Sequence, residues 1–313
     1  MLSRTADNLF WLSRYVERAD YFARVLEATS RLAALPAAYS APGNEWVGAL
    51  ATAGCYDAFM KEYDKPTAES VIQFLAFSDK NPFSIRQCLE TARFNARAVR
   101  TALTVEMWET INGAWLELQR MDKSTLAPAR LTRFTEWVKD VSLRFDGSGY
   151  RTMLRNDAYW FSRLGIFIER ADNTARILDV KYHILLPETS AVGGGLDYSQ
   201  WAAILRSVNA LTAYHWVYRE SLRPWLIADL LILNRELPRS LASCYREIVD
   251  GLDNLAGAYG RQGRGQRLAR ALHNSLDSGT IEKVFQTGLH EFVTHFISDN
   301  QRIGAAISEQ YLI

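Results

Sequence analysis

Apolar residues return at three- and four-residue spacing along almost the whole chain, and no alternating run of β-branched residues between turn signals is long enough for a sheet strand. The pattern predicts an all-α protein. Breaks rich in Pro, Gly and Asp fall at residues 36–43, 64–66, 79–82, 122–128, 146–149, 187–195, 235–238, 261–265 and 277–279. Roughly ten helices lie between them.

The same pattern occurs twice. Glu17-Arg18-Ala19-Asp20 returns as Glu169-Arg170-Ala171-Asp172, and both segments run on without a gap through Ala23-Arg24-Val25-Leu26-Glu27 and Ala175-Arg176-Ile177-Leu178-Asp179. Further along, Trp46 answers to Trp201, Leu50 to Leu205 and Tyr63 to Tyr218. Pro82-Phe83-Ser84-Ile85 with Cys88 then answers to Pro238-Arg239-Ser240-Leu241 with Cys244. The offset drifts from 152 through 155 to 156, as small insertions would produce. Residues 1–150 and 151–313 are therefore read as two copies of one helical unit, joined through Asp146-Gly147-Ser148-Gly149 and packed with pseudo-twofold symmetry as one globule.

On a helix advancing about 100° per residue, Ser162, Asp172, Asn173, Arg176, Asp179 and His183 fall within about 80° of Glu169. The rest of that helix is mostly apolar. So narrow a polar stripe predicts a buried or cleft-facing strip, because a solvent face is usually wider. The first copy repeats it as Ser13, Glu17, Asp20, Arg24, Glu27 and Arg31. The helix after Pro82 carries a basic face, Arg86, Arg93, Arg97 and Arg100 with Glu90, suited to pair with those carboxylates through the planar guanidinium fork. Three outcomes stay open: a buried ion-pair network that fixes helix register, a polar ligand or catalytic pocket where the two acidic stripes meet, or a solvated face.

Composition narrows the choice of partners. The 313 residues are 48% hydrophobic and 23% charged, with 18 Gly and 8 Pro, which excludes disordered and collagen-like classes. Lys and Arg number 36 against 35 Asp and Glu, so overall charge gives no reason to expect nucleic acid or an anionic membrane. Cys55, Cys88 and Cys244 lack CxxC spacing and read as small buried residues in a reducing compartment. Met1 to Asp7 does not resemble a secretory signal, and the apolar run Pro224 to Leu233 contains Asp229 and is too short to span a bilayer. A soluble, cytoplasmic protein is expected.

Familiar catalytic motifs are missing. His290 and His295 are five apart, on different faces of a helix, where a zinc-protease helix needs a spacing of four. None of the five histidines sits in a Glu-x-x-His pair of the di-iron type. Asp179 and His183, four apart, suit a hydrogen bond better than a metal. Gly193-Gly194-Gly195 is neither a P-loop nor a dinucleotide fingerprint, and the basic segment Arg261 to Arg267 reads as a solvated turn. No metal and no cofactor of the chain's own is expected.

The opening Met1-Leu2-Ser3-Arg4-Thr5-Ala6-Asp7, then Trp11 and Arg14-Tyr15-Val16-Glu17-Arg18-Ala19-Asp20, resembles the start of the bacterial alpha-E family. Later blocks resemble it too: Asn81-Pro82-Phe83-Ser84-Ile85, Glu106-Met107-Trp108-Glu109, Thr152-Met153-Leu154-Arg155 through to Tyr182, and Leu196-Asp197-Tyr198 to Trp201. The family's Glu-Arg motif maps onto Glu17-Arg18 and Glu169-Arg170. The resemblance implies association with a circularly permuted ATP-grasp protein and with transglutaminase-like peptidases, hence ATP-dependent amide-bond formation on a peptide or amino acid, with ATP bound by the partner.

The first expectation is an accessory or binding partner of such a ligase, holding the peptide or the ligase in a groove lined by Arg18, Asp20, Arg24, Arg93, Arg97, Arg170, Asp172, Arg176, Asp179 and His183. The alternatives are an enzyme acting on peptide or amino-acid amides, with Glu17 or Glu169 as general base and Arg24, Arg97 or Arg176 clamping a carboxylate or phosphate, and a purely structural helical scaffold.

Overall fold

The computed structural model describes residues 1–34, 44–121, 128–184 and 195–312. The expected breaks at 36–43, 122–127 and 187–194, including Gly193 and Gly194, lie outside them, as does the side chain of His183. The chain is all-α. Among the described residues there are fifteen α-helices and no strand: α1 (Ser3–Ala33), α2 (Asn44–Thr52), α3 (Tyr56–Met60), α4 (Ala68–Ala76), α5 (Ile85–Ala98), α6 (Val105–Leu118), α7 (Pro128–Thr152), α8 (Asp157–Ile184), α9 (Gly195–Ser207), α10 (Leu211–Tyr218), α11 (Pro224–Ile232), α12 (Leu241–Tyr259), α13 (Arg264–Asp277), α14 (Ile281–Thr287) and α15 (Leu289–Ile307). None of them is long and apolar enough to cross a membrane.

The count exceeds ten because stretches that read as single helices are interrupted. A turn at Gly54 parts α2 from α3, and Asn209, in the left-handed region at φ 57°, parts α9 from α10. Pro224 then opens α11 at its first turn, where a missing N–H costs nothing. Side-chain caps fix other starts: Ser84 accepts from the Gln87 amide at the head of α5, and Ser240 from the Ser243 amide at the head of α12. Gly260, at φ 68°, closes α12 in the left-handed conformation that a side chain would disfavour.

The segment Asp146-Gly147-Ser148-Gly149, read as a linker, is instead the interior of α7, and the chain breaks later, between Met153 and Asn156. Two glycines cost a helix about 1 kcal/mol each relative to alanine. Packing overrides that preference: Phe145 is buried beside them, and a Cβ on Gly149 would lie 3.3 Å from the Met107 side chain.

Two long helices form the centre. α1 and α8 are buried on nearly all sides, which explains why apolar residues surround their polar stripes. They pack on each other, and their other partners run in parallel. α5 and α7 cover α1, while α12 and α15 cover α8. α6 bridges α5 and α7, while α13 bridges α12 and α15. α9, which follows α8, packs on α1, and α2, which follows α1, packs on α8.

Candidate functional site

The helices α1 and α8 approach each other closely at small side chains. Ser13 Oγ lies 2.8 Å from Ser162 Oγ, and a Cβ on Gly165 would fall 2.2 Å from the Phe10 carbonyl oxygen. With Glu17 aligned to Glu169, Ser13 answers to Gly165 and Phe10 to Ser162, so these two contacts are reciprocal. A residue larger than Ser or Gly at the crossing would push the helices apart.

One helical turn beyond the crossing, the two Glu-Arg motifs meet, and each pairs with the other and not with itself. Arg170 donates Nε and Nη2 to the Glu17 oxygens at 3.0 and 2.9 Å. Arg18 donates Nε and Nη2 to the Glu169 oxygens at 2.5 and 3.0 Å. Each carboxylate takes one further guanidinium: Arg239 Nη1 on Glu17 at 2.9 Å, and Arg14 Nε on Glu169 at 2.8 Å. Adjacent residues on a helix point about 100° apart, so Glu17 cannot turn to Arg18 and the fork of each arginine finds its partner across the interface.

Both carboxylates are 2% exposed. Burial alone would raise the pKa of Glu17, but the Arg170 charge and then that of Arg239 outweigh it and hold the group at about 2. Glu169 is lowered in the same way, burial being opposed by Arg18 and Arg14. The two residues considered as general bases are therefore anions whose oxygens already accept three charge-assisted hydrogen bonds each. A base needs a pKa near the working pH, whereas the arginines around both carboxylates lower theirs.

The next turn differs between the halves. Asp20 accepts from Arg24 Nε at 2.7 Å and from Arg239 Nη2 at 2.8 Å, so Arg239 bridges Glu17 and Asp20. Asp172 accepts from Arg176 Nε at 2.6 Å, and that is its one ion pair among the described residues. Phe83 stands where Arg239 would correspond: both follow a proline and precede the capping serine of α5 or α12. Its ring packs 4.6 Å from the Arg18 guanidinium carbon. A cavity of about 450 Å³ lies on the other side, beside Arg170 and Pro238, and one of about 390 Å³ lies on the Glu169 side, with Trp11, Phe83 and Asn300 among its walls.

Hydrogen-bond donors dominate this cavity. Arg14 and Arg176 each spend only Nε, and Arg18 spends Nε and Nη2, on the two carboxylates. Their remaining guanidinium N–H groups make no other hydrogen bond among the described residues. Asn173, 3% exposed, lines the same cavity, and its side-chain Nδ2 is buried without a partner among the described residues. Three arginines against two carboxylates leave the lining one positive charge in excess.

Of the other residues expected here, Arg93 and Arg97 are elsewhere. Arg93 Nε bonds Asn112 Oδ1 at 2.9 Å, tying α5 to α6, and Arg97 is exposed. α5 turns Cys88, Leu89 and Ala92 inward, so its basic stripe faces away from α1. Asp179 pairs at 2.6 Å with His290 Nδ1 at the head of α15. Helical spacing does not mark Arg239 or Arg14 as site residues. Arg239 had a signal, a charged residue facing a phenylalanine in an otherwise matching repeat; Arg14 had none beyond its place in the opening block. The three cysteines are free and buried, and burial pushes their thiols up to about 12. Among the described residues, no three His, Cys, Asp or Glu gather in a way that could hold a metal ion.

Two central helices locked by reciprocal Glu-Arg pairs define a helical domain organised around that dipeptide. The chain belongs to the Alpha-E family, whose model, described as a predicted alpha-helical domain with a conserved ER motif, matches residues 1–312. No curated protein and no solved structure matches it.

Proposed function

We propose that the chain is a binding module, built from two copies of one helical unit, that holds a peptide or amino acid by its carboxylate in the cavity beside Glu169 and acts as the accessory partner of a circularly permuted ATP-grasp amide ligase. The observation that carries the binding reading is the set of unspent donors on Arg14, Arg18, Arg176 and Asn173 around one cavity with an excess positive charge. Asn173 Nδ2 is a buried donor without an acceptor among the described residues, which is costly, and a carboxylate supplies that acceptor while pairing with the partly exposed arginines beside it. The parallel helix pairings and the reciprocal Glu-Arg contacts support the two-copy reading. The ion pairing and lowered pKa of Glu17 and Glu169 favour binding over general-base catalysis.

The test has two arms on the full chain. Calorimetric titration with glycylglycine should show binding that weakens at least tenfold in Arg176→Gln. Mixing with the ATP-grasp protein, ATP and candidate peptides should give co-elution on size exclusion and a changed product mass or rate. No binding in the first arm removes the cavity reading, and neither association nor a changed product in the second removes the partnership.

A further inference from the structure

Resting on that cavity reading, we propose that its ligand also carries a cationic side chain, a guanidinium or ammonium group, which docks on Asp172 in the place that Arg239 holds on Asp20. The chain contains both versions of one arrangement. Around Glu17 the sequence Pro238-Arg239-Ser240 sends a guanidinium into the gap between the two acidic side chains, 2.9 Å from Glu17 and 2.8 Å from Asp20. Around Glu169 the sequence Pro82-Phe83-Ser84 sends a phenyl ring instead, which accepts and donates no such bond and packs on Arg18. Arg18 corresponds to Arg170, Arg176 to Arg24, Glu169 to Glu17 and Asp172 to Asp20, while Arg14, whose counterpart is Ile166, makes the third bond to Glu169, so that the place left open is the one on Asp172. Asp172 lines the cavity on that side, whereas the cavity beside Arg170 and Pro238 in the other half does not reach Asp20.

Asp172 faces that cavity with a single ion pair, to Arg176, whereas Asp20 has two. Phe83 and Trp11 add aromatic walls, each with one face already under a guanidinium, Arg18 over Phe83 and Arg14 over Trp11, both at 4.6 Å. The other pole is already present, since Asn173 keeps an unpartnered buried amide and Arg14 keeps unspent donors in the same space. A molecule with a carboxylate at one end and a side-chain cation at the other satisfies both poles. This defines the ligand class as a basic amino acid or a peptide that presents an arginine- or lysine-type residue.

The probes are Nα-acetyl-L-arginine and Nα-acetyl-L-citrulline, which share the carboxylate, lack the α-ammonium and differ in the charge at the end of a side chain of similar shape. They are titrated calorimetrically into the full chain, its Asp172→Asn variant and its Phe83→Arg variant, with thermal melting reporting the fold of each. Acetyl-arginine should bind at least tenfold more tightly than acetyl-citrulline, and the ratio should fall to about one in Asp172→Asn. Phe83→Arg, which supplies the guanidinium internally, should melt no lower than the parent and lose acetyl-arginine binding. Equal binding of the two probes to the parent chain would overturn the cationic ligand and leave the carboxylate cavity standing. Binding of neither would overturn both. Phe83→Arg that folds and still binds acetyl-arginine as the parent does would show that the ligand sits elsewhere.

Discussion

Gly165 approaches Phe10 so closely that a single methyl group on it would sit 2.2 Å from the Phe10 carbonyl oxygen. The clashing partner is backbone, which a rotamer change cannot move. Gly165→Ala is therefore expected to force α1 and α8 apart and to misalign the Glu-Arg pairs one turn away. Overpacking typically costs about 1–3 kcal/mol, and this substitution should fall at or above the top of that range in denaturant unfolding. A change below about 0.5 kcal/mol, the scale of a neutral surface substitution, would mean that the helices do not meet there.

The buried carboxylates also set an acid limit on stability. Glu17 falls from an ordinary 4.5 to about 2 on folding, and Glu169 is lowered too. A depressed carboxyl pKa gives stability that is complete above the unfolded value and is lost as pH drops through the folded one. Glu17 alone then contributes roughly 3 kcal/mol above about pH 4.5, fading toward pH 2. Urea midpoints taken from pH 7 to pH 2.5 should hold level and then drop below about pH 4.5, with a smaller drop in Glu17→Gln measured against its own value at pH 7. An equal drop in that variant would assign the acid sensitivity to other groups.

Arg97 and Arg93 separate what spacing suggested from what the fold does. Arg97 is exposed and Arg93 bonds Asn112. Arg97→Ala should shift stability by no more than about 0.5 kcal/mol, and Arg93→Ala by about 1 kcal/mol, the worth of one hydrogen bond. Losses of about 3–5 kcal/mol, typical of breaking a buried ion pair, would return them to the carboxylate network.

What could be read from the sequence follows from which interactions are periodic. The all-α class, the buried state of α1 and α8 and the importance of Glu17, Arg18, Glu169 and Arg170 rest on helical spacing, which one chain displays directly. The pairing itself is not periodic. Arg170 and Glu17 are brought together by the crossing angle of two helices, and the small residues that permit it, Ser13, Ser162 and Gly165, look ordinary in the sequence. The stripe of Arg93 and Arg97 misled for the same reason: amphipathicity shows that a helix has a polar face, and only packing shows where that face points. The linker at Asp146 to Gly149 misled because glycine is a weak breaker once a helix is held by Phe145 and Met107.

Arg239 carries a prediction of its own. It bridges Glu17 and Asp20 from α12's approach turn, so Arg239→Phe would copy the open geometry of the other half and leave Asp20 with Arg24 alone. Losing two buried charge-assisted bonds at about 1.5–3 kcal/mol each should lower the melting temperature distinctly. Phe83→Arg should not lower it. Equal effects of the two exchanges would contradict the asymmetry between the halves.

The reciprocal pairing of the two Glu-Arg motifs is tested most directly by double-mutant cycles of denaturant unfolding. Glu17→Gln with Arg170→Gln should show a coupling of about 1.5 kcal/mol or more, within the range for contacting residues. Glu17→Gln with Arg18→Gln, neighbours in sequence, should couple far more weakly. The reverse order, strong coupling within a motif and little between them, would contradict the account.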